Sequence, residues 1–266
     1  MKIKGSEILI LSVVMLLSAT IAKAGTQEGL LSGFGFANDW TVLEVGGGNV
    51  QVNNNSSIFG NMGIASAQQV QINNGAGISG KLVLSSPAIP LQVNNGATIG
   101  GGVSYSNTLS TDSAAATNAS MAFAAMAPTN TSYGSQLNLN GVSLTIGATA
   151  STNVFSFQNL TINNGGVLTL SGNSTSKFIF DITGSLSVNN NSAIKLTGGL
   201  TSSDVVFNLI GNGDGNVLNN SSSLNGTVIA TQREISMNNG SNTITGAVIS
   251  KGIQLNNGSH IVSAEF

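Results

Sequence analysis

Val50-Gln51-Val52-Asn53-Asn54 returns as Val70-Gln71-Ile72-Asn73-Asn74 and again as Leu91-Gln92-Val93-Asn94-Asn95. Later in the chain the unit reads Leu160-Thr161-Ile162-Asn163-Asn164, Leu186-Ser187-Val188-Asn189-Asn190, Ile235-Ser236-Met237-Asn238-Asn239 and Ile253-Gln254-Leu255-Asn256-Asn257. Val217-Leu218-Asn219-Asn220 is a degenerate copy. Alternating aliphatic and polar residues mark a strand with one buried face. Asn, and the Gly that often follows it, tolerate positive φ, so the pair turns the chain into the next strand. In the clean steps the first Asn recurs every 18 to 21 residues (53, 73, 94 and 219, 238, 256). That is too short for a pair of helices and fits one coil of a solenoid. Stacked coils set the Asn residues about 4.8 Å apart, where their amides form hydrogen-bonded ladders. The expected fold is all-β: a β-solenoid, or β-helix, with one α-helix packed alongside.

The helix comes from the one stretch that leaves the pattern. Asp112 is placed to cap a helix over 113–127, and Pro128 to stop it. Ala115, Ala119, Ala122 and Met126 share a face of mostly small side chains that suits a flat sheet. Composition does not shift across this stretch, so 25–266 reads as a single domain. Ahead of it, Lys2 and Lys4, the apolar run 8–17 and Ala22-Lys23-Ala24 make the three parts of a signal peptide over 1–24. The run is short of the roughly 20 residues of a membrane span. The mature protein is therefore expected to be secreted or extracellular, at most associated with the cell surface, with no membrane span after cleavage.

Charge is scarce. Of 266 residues only 7% are charged, with Lys+Arg 8, Asp+Glu 10 and one His; there is no Cys. No basic stripe exists to meet a phosphate backbone, so nucleic acid is not an expected partner. Without Cys there is no thiolate metal site, cysteine nucleophile or disulfide framework, and a single His leaves little for a triad. No enzyme activity, cofactor or metal is expected. Yet 41% of residues are hydrophobic, too many for a disordered chain. Neutral amides replace charges as the solubilising groups.

Trp40-Thr41-Val42-Leu43 before Gly46-Gly47-Gly48, the Ala-rich helix, and Phe178-Ile179-Phe180-Asp181-Ile182-Thr183-Gly184-Ser185-Leu186 come in a telling order. Ile194-Lys195-Leu196-Thr197-Gly198-Gly199, Val205-Val206-Phe207, Leu224-Asn225-Gly226-Thr227-Val228-Ile229-Ala230 and Ile244-Thr245-Gly246-Ala247-Val248-Ile249 follow. Across nearly the whole mature chain this series resembles the bacterial and fungal ice-binding-like β-helix family and the related exported choice-of-anchor A proteins. The resemblance implies adsorption to ice through a flat, uncharged face, without catalysis.

A three-sided coil has three outward rows. The row before each Asn turn (Gln51, Gln71, Gln92, Thr161, Ser187, Ser236 and Gln254) is wholly polar. The row after it includes Lys195 and His260 and is partly charged. The third is the flattest and least charged. Under the resemblance its Thr227, Ile229, Ala247 and Ile249 are the expected ice-binding residues. The same row would also seat an Ala-rich helix, and a one-residue slip would turn it inward. Ice or another extended surface is one expected partner. The alternative is an extracellular structural or adhesive protein that binds glycans or self-associates, toward which the regular Gln and Asn row points. Among other signals, the Gly-Asn-Gly-Asp stretch at 211–214 is half a calcium turn and reads as a plain loop. Thr149-Ala150-Ser151-Thr152, though similar to a family motif, reads as chance in so Thr- and Ala-rich a chain. Asp181 and Asp204 are too separated from other acids to make a catalytic pair. His260 reads as solvent-facing and Trp40 as an N-terminal packing residue.

Overall fold

The computed structural model describes residues 29–36 and 40–263, so the expected signal peptide lies outside the described residues. Short parallel strands wind into a three-walled β-solenoid of about nine coils, with one α-helix alongside, as expected. The amide wall, before each Asn corner, runs from Leu91–Val93 at one end to Gln136–Asn140 at the other. The threonine wall, after the corner, is a separate 9-stranded sheet from Thr98–Ile99 to Ser143–Gly147. The helix wall runs from Val103–Tyr105 to Thr152–Phe157. Two long strands, Thr227–Asn238 and Val248–Leu255, turn a corner unbroken and join the amide and helix walls into one 16-stranded sheet.

Stacking order is not chain order. The chain enters in the middle of the stack, where Val42–Glu44 pairs with both Val248–Leu255 and Met62–Ile64. It climbs three coils to one end, returns along the wall as α1 (Leu109–Ala124), and starts again at the opposite end with Gln136–Asn140. From there it winds back until His260–Val262 meets Ser57–Phe59. Sixteen helical residues rise about 24 Å. Nine rungs extend about 38 Å, and 125–135 covers the difference.

The corners work by the two devices predicted. Asn54, Asn74, Asn95, Asn164, Asn190, Asn220, Asn239 and Asn257 all have φ between 53 and 56° or at 57°. The amides then bond from rung to rung. Asn73 Nδ2 donates to Asn53 Oδ1 at 3.2 Å, Asn94 to Asn73 at 3.1 Å, and Asn256 to Asn238 at 2.8 Å. A second ladder joins Asn54, Asn74 and Asn95, and a third joins Gln254, Gln51, Gln71 and Gln92. Where the coils lengthen, at Asn189 and Asn219, the first-Asn ladder breaks and both Oδ1 atoms are buried without a partner. Replacing Asn74 by Ala puts a Cβ-bearing residue without a local hydrogen bond at φ 55° and cuts one ladder. We expect a loss of about 1–2 kcal/mol in urea unfolding. Asn74→Gly relieves the backbone but not the ladder, so it should lose less.

The core inside the walls is continuous. Its lower part holds a stack of phenylalanines: Phe155 on Phe180 and Phe180 on Phe207, each with ring centroids 5.0 Å apart. A second cluster lies outside the helix wall, where Leu43, Val154, Ile179, Val206, Ile229 and Ile249 meet Leu109, Ala116, Ala119 and Phe123. Gly63 permits the close approach, because a Cβ there would stand 2.8 Å from Leu109 Cδ2 and 2.9 Å from Leu43 Cδ1.

The helix differs from expectation at both ends. It begins at Leu109 rather than 113, because Leu109 is wholly buried against the wall and draws the first turn with it. Asp112 is therefore not the cap. It is buried in the first turn and accepts a 2.8 Å hydrogen bond from Trp40 Nε1. The helix ends at Ala124, before 127, since a residue preceding Pro128 disfavours helix and Thr129 N–H bonds Val154 O at 2.9 Å.

Candidate functional site

The row singled out in the sequence is the helix seat. Thr227, Ile229, Ala247 and Ile249 are 2%, 0%, 1% and 2% exposed, and Ile229 and Ile249 belong to the cluster under α1. They cannot face an external surface, which corrects the expected assignment. The sequence does carry a signal for this. Val205-Val206-Phe207 and Val228-Ile229-Ala230 are apolar without alternation, the pattern of strands buried on both faces.

With the helix wall covered, two walls stay open. On the amide wall, four outward side chains, Gln254, Gln51, Gln71 and Gln92, are taken up by hydrogen bonds to one another. The threonine wall alternates cleanly, with Leu144 and Ile146 inside and Ser143, Thr145 and Gly147 outside. Register places Thr145 beside Thr169 and Thr169 beside Lys195. Asn225 stands beside Thr245, and Thr245 beside Val262 and then Phe59. A parallel row runs Ser143, Val167, Ala193, Ser223, Thr243, His260, Ser57, Gly77 and Thr98. Side chains thus repeat at about 4.8 Å across strands and about 6.7 Å along them. Gly77 leaves a gap in its row, and two further features interrupt this lattice. Lys195 projects from one rung, and Phe59, 47% exposed, stands 5.7 Å from the His260 ring. Part of His260 is not solvated, since its Nδ1 is buried without a partner.

The carboxylates are occupied in holding the fold. Glu44 is buried and accepts backbone N–H bonds from Gly46, Gly47 and Ser66 at 2.9, 2.6 and 2.8 Å. Burial pushes its carboxyl above the usual range, and these N–H groups oppose the shift. The sequence reading of Gly46-Gly47-Gly48 as a turn missed that Glu44 organises it. Asp181 sits beneath α1, where Asn208 Nδ2 donates to it at 2.7 Å, and Ser120 on the helix donates to Asn208 Oδ1 at 2.7 Å. Burial raises its pKa to about 6, against the lowering effect of Asn208. Asp204 is paired with Lys177 and accepts both N–H and Oγ1–H of Thr201. Among the described residues no group of three or more His, Asp or Glu could hold a metal ion, and no helix is long and apolar enough to cross a membrane. The arrangement offers an extended, repeating surface of hydroxyls and methyls.

Comparison with known proteins agrees with that architecture. The ice-binding-like family model matches residues 44–260. No curated protein matches the sequence. Among solved structures, the chain is similar to the ice-binding protein of the Antarctic ascomycete Antarctomyces psychrotrophicus, at 20% identity and TM-score 0.57, over 86% of this chain and 96% of that one. It is similar to an ice-binding protein from an Antarctic biological consortium at 17% identity and TM-score 0.59, over 87% and 90%. A glycosylated ice-binding protein from an Arctic yeast matches at 16% identity and TM-score 0.58, over 91% and 96%. At these identities the likeness is one of fold. The family model spans the solenoid from its first Gly-rich turn to its last Asn corner, and the chain belongs to the ice-binding-like family.

Proposed function

We propose that the protein is exported by its 1–24 signal peptide and adsorbs to ice through the threonine wall, without cofactor or catalysis. One observation carries this reading: of three walls, this one is neither covered by α1 nor crossed on its outward row by an amide ladder such as joins Gln254, Gln51, Gln71 and Gln92. Its Ser and Thr hydroxyls hold water by hydrogen bonds, and the Thr methyls restrict how that water orients. Fixed at repeating rungs, such water joins a growing ice lattice. Each contact is weak, partly through water, and the nine strands multiply it. Family membership and three solved structures named as ice-binding proteins support the reading. Purified mature protein at micromolar concentration should shape ice crystals, show thermal hysteresis and slow ice recrystallisation. Unchanged ice growth together with binding to a polysaccharide would favour an extracellular adhesive protein instead, for which the glutamine row of the amide wall is the matching feature.

A further inference from the structure

We infer that Phe59 is a brake on adsorption at the threonine wall, so that replacing it by threonine makes the protein more active on ice. The inference rests on the threonine wall being the adsorbing face. Among the described residues, Phe59 is the one large, exposed apolar side chain within the strands of that wall. The others lie on the end coil 91–105, on α1 and at Val142, ahead of the first strand. Strand alternation turns Ile58 into the core, where it is wholly buried, and turns Ser57 and Phe59 outward. In the row of Phe59, the rung on one side carries Val262, and Thr245 beyond it. The rung on the other side carries Ser79, whose N–H donates to Ile58 O at 2.9 Å. Ser, Val and Thr side chains end just past Cβ, whereas a phenyl ring stands well above them.

The backbone beneath does not cause the interruption. Register runs without a bulge from His260–Val262 through Ser57–Phe59 to Gly77–Ile78. Ile261, Ile58 and Ile78 fill the core below at 0%, 0% and 1% exposed. The lattice of rungs about 4.8 Å apart therefore continues under Phe59, and at this rung the side chain alone breaks it. The ring is also held in place. Its centroid lies 5.7 Å from that of His260 on the adjoining strand, at 53°, and an aromatic side chain has few torsions through which to move away. Lys195, the other projection from the wall, differs, because its charged head sits on a flexible stem that can swing aside. A flat ice surface meeting Phe59 is kept off the flanking rungs, and the phenyl ring has no polar group with which to anchor water. Weak contacts made together reinforce one another, so each lost rung lowers the whole.

Phe59→Thr carries the test. Val262 and Ser79 show that this row accommodates small side chains, so the variant should match wild type in circular dichroism and melting temperature. Beyond Phe59 the wall has only Gly77–Ile78 and Thr98–Ile99 left, and Gly77 is bare, so the gain is bounded. Thermal hysteresis at equal micromolar concentration should rise about twofold or more. Phe59→Tyr keeps the ring and should stay at the wild-type level. A folded Phe59→Thr protein no more active than an active wild type overturns the brake and leaves the threonine wall as the ice face. Equal gains in Phe59→Thr and Phe59→Tyr also overturn it, since bulk is then not the cause. If neither wild type nor Phe59→Thr alters ice growth, the reading of the wall fails and the brake fails with it. If Phe59→Thr does not fold, Phe59→Val, with the side chain of the adjoining Val262, decides on the same readout.

Discussion

Replacing Arg233 by Met should cost about 3–5 kcal/mol and lower the melting temperature by roughly 10 °C, the largest loss expected from a single side chain here. Arg233 is 2% exposed, and its charge is balanced mainly by carbonyl dipoles. Its Nε donates to Gly211 O at 2.8 Å. One terminal nitrogen donates to Gly184 O and Asp214 O, and the other to Ile182 O, Thr183 O and Ile210 O. Six carbonyls from two neighbouring corners thus converge on one guanidinium, which sits where Thr227–Asn238 shifts register. Burial lowers its pKa and Asp214 opposes this, but a guanidinium starts far above neutrality and stays charged. Met fills much of the volume and leaves the carbonyls without a donor. Lys supplies the charge without the planar fork, so Arg233→Lys should recover only part of the loss. A Lys variant that melts with wild type would show that the fork is not what holds these corners.

Asp181→Asn should have the opposite sign. The carboxyl lies under α1 with a pKa raised from 3.8 to about 6, chiefly by burial. The folded protein therefore holds this proton more tightly than the unfolded chain between those values. Its contribution to stability is complete below pH 4 and is lost as pH rises through about 6. The shift corresponds to about 3 kcal/mol at neutral pH. Asn keeps the acceptor for Asn208 Nδ2 but adds an N–H needing a partner, so we expect a gain of roughly 2 kcal/mol, or about 4–8 °C, at pH 7. No gain is expected at pH 3.5. Glu44, also raised by burial, leaves a residual slope of the same sign in the variant. Thermal melts of both proteins across pH 3.5–8 check this. Equal increments at every pH would mean that the effect is packing rather than ionisation.

Both sites lie where sequence periodicity says least. The repeat itself was legible because it states one rule many times: Val70-Gln71-Ile72 alternates, and Asn73-Asn74 turns. Coil, corner and ladder follow from that rule, and the structure has all three. Stacking order was not legible. Nothing local in Val42-Leu43-Glu44 says that its neighbour is Val248-Ile249-Ser250, some two hundred residues away. The helix seat was half legible. Thr227, Ile229, Ala247 and Ile249 were assigned the correct wall but the wrong neighbour, since a flat uncharged row suits a helix as well as it suits ice. Arg233 and Glu44 look like surface charges in sequence because their partners are backbone groups, which no residue pattern records.

The most direct test of the threonine wall uses one coil. Thr161 and Thr169 are half-buried and outward-facing, eight positions apart, on the amide wall and the threonine wall. Tyr at either is tolerated by a strand and raises the same bulk on a different face. Thermal hysteresis should fall about tenfold in Thr169→Tyr, as a single obstacle breaks contact along neighbouring rungs, and should be unchanged in Thr161→Tyr, with both variants melting near wild type. Loss of activity in Thr161→Tyr with activity kept in Thr169→Tyr would contradict the account and move the ice-adsorbing face to the amide wall.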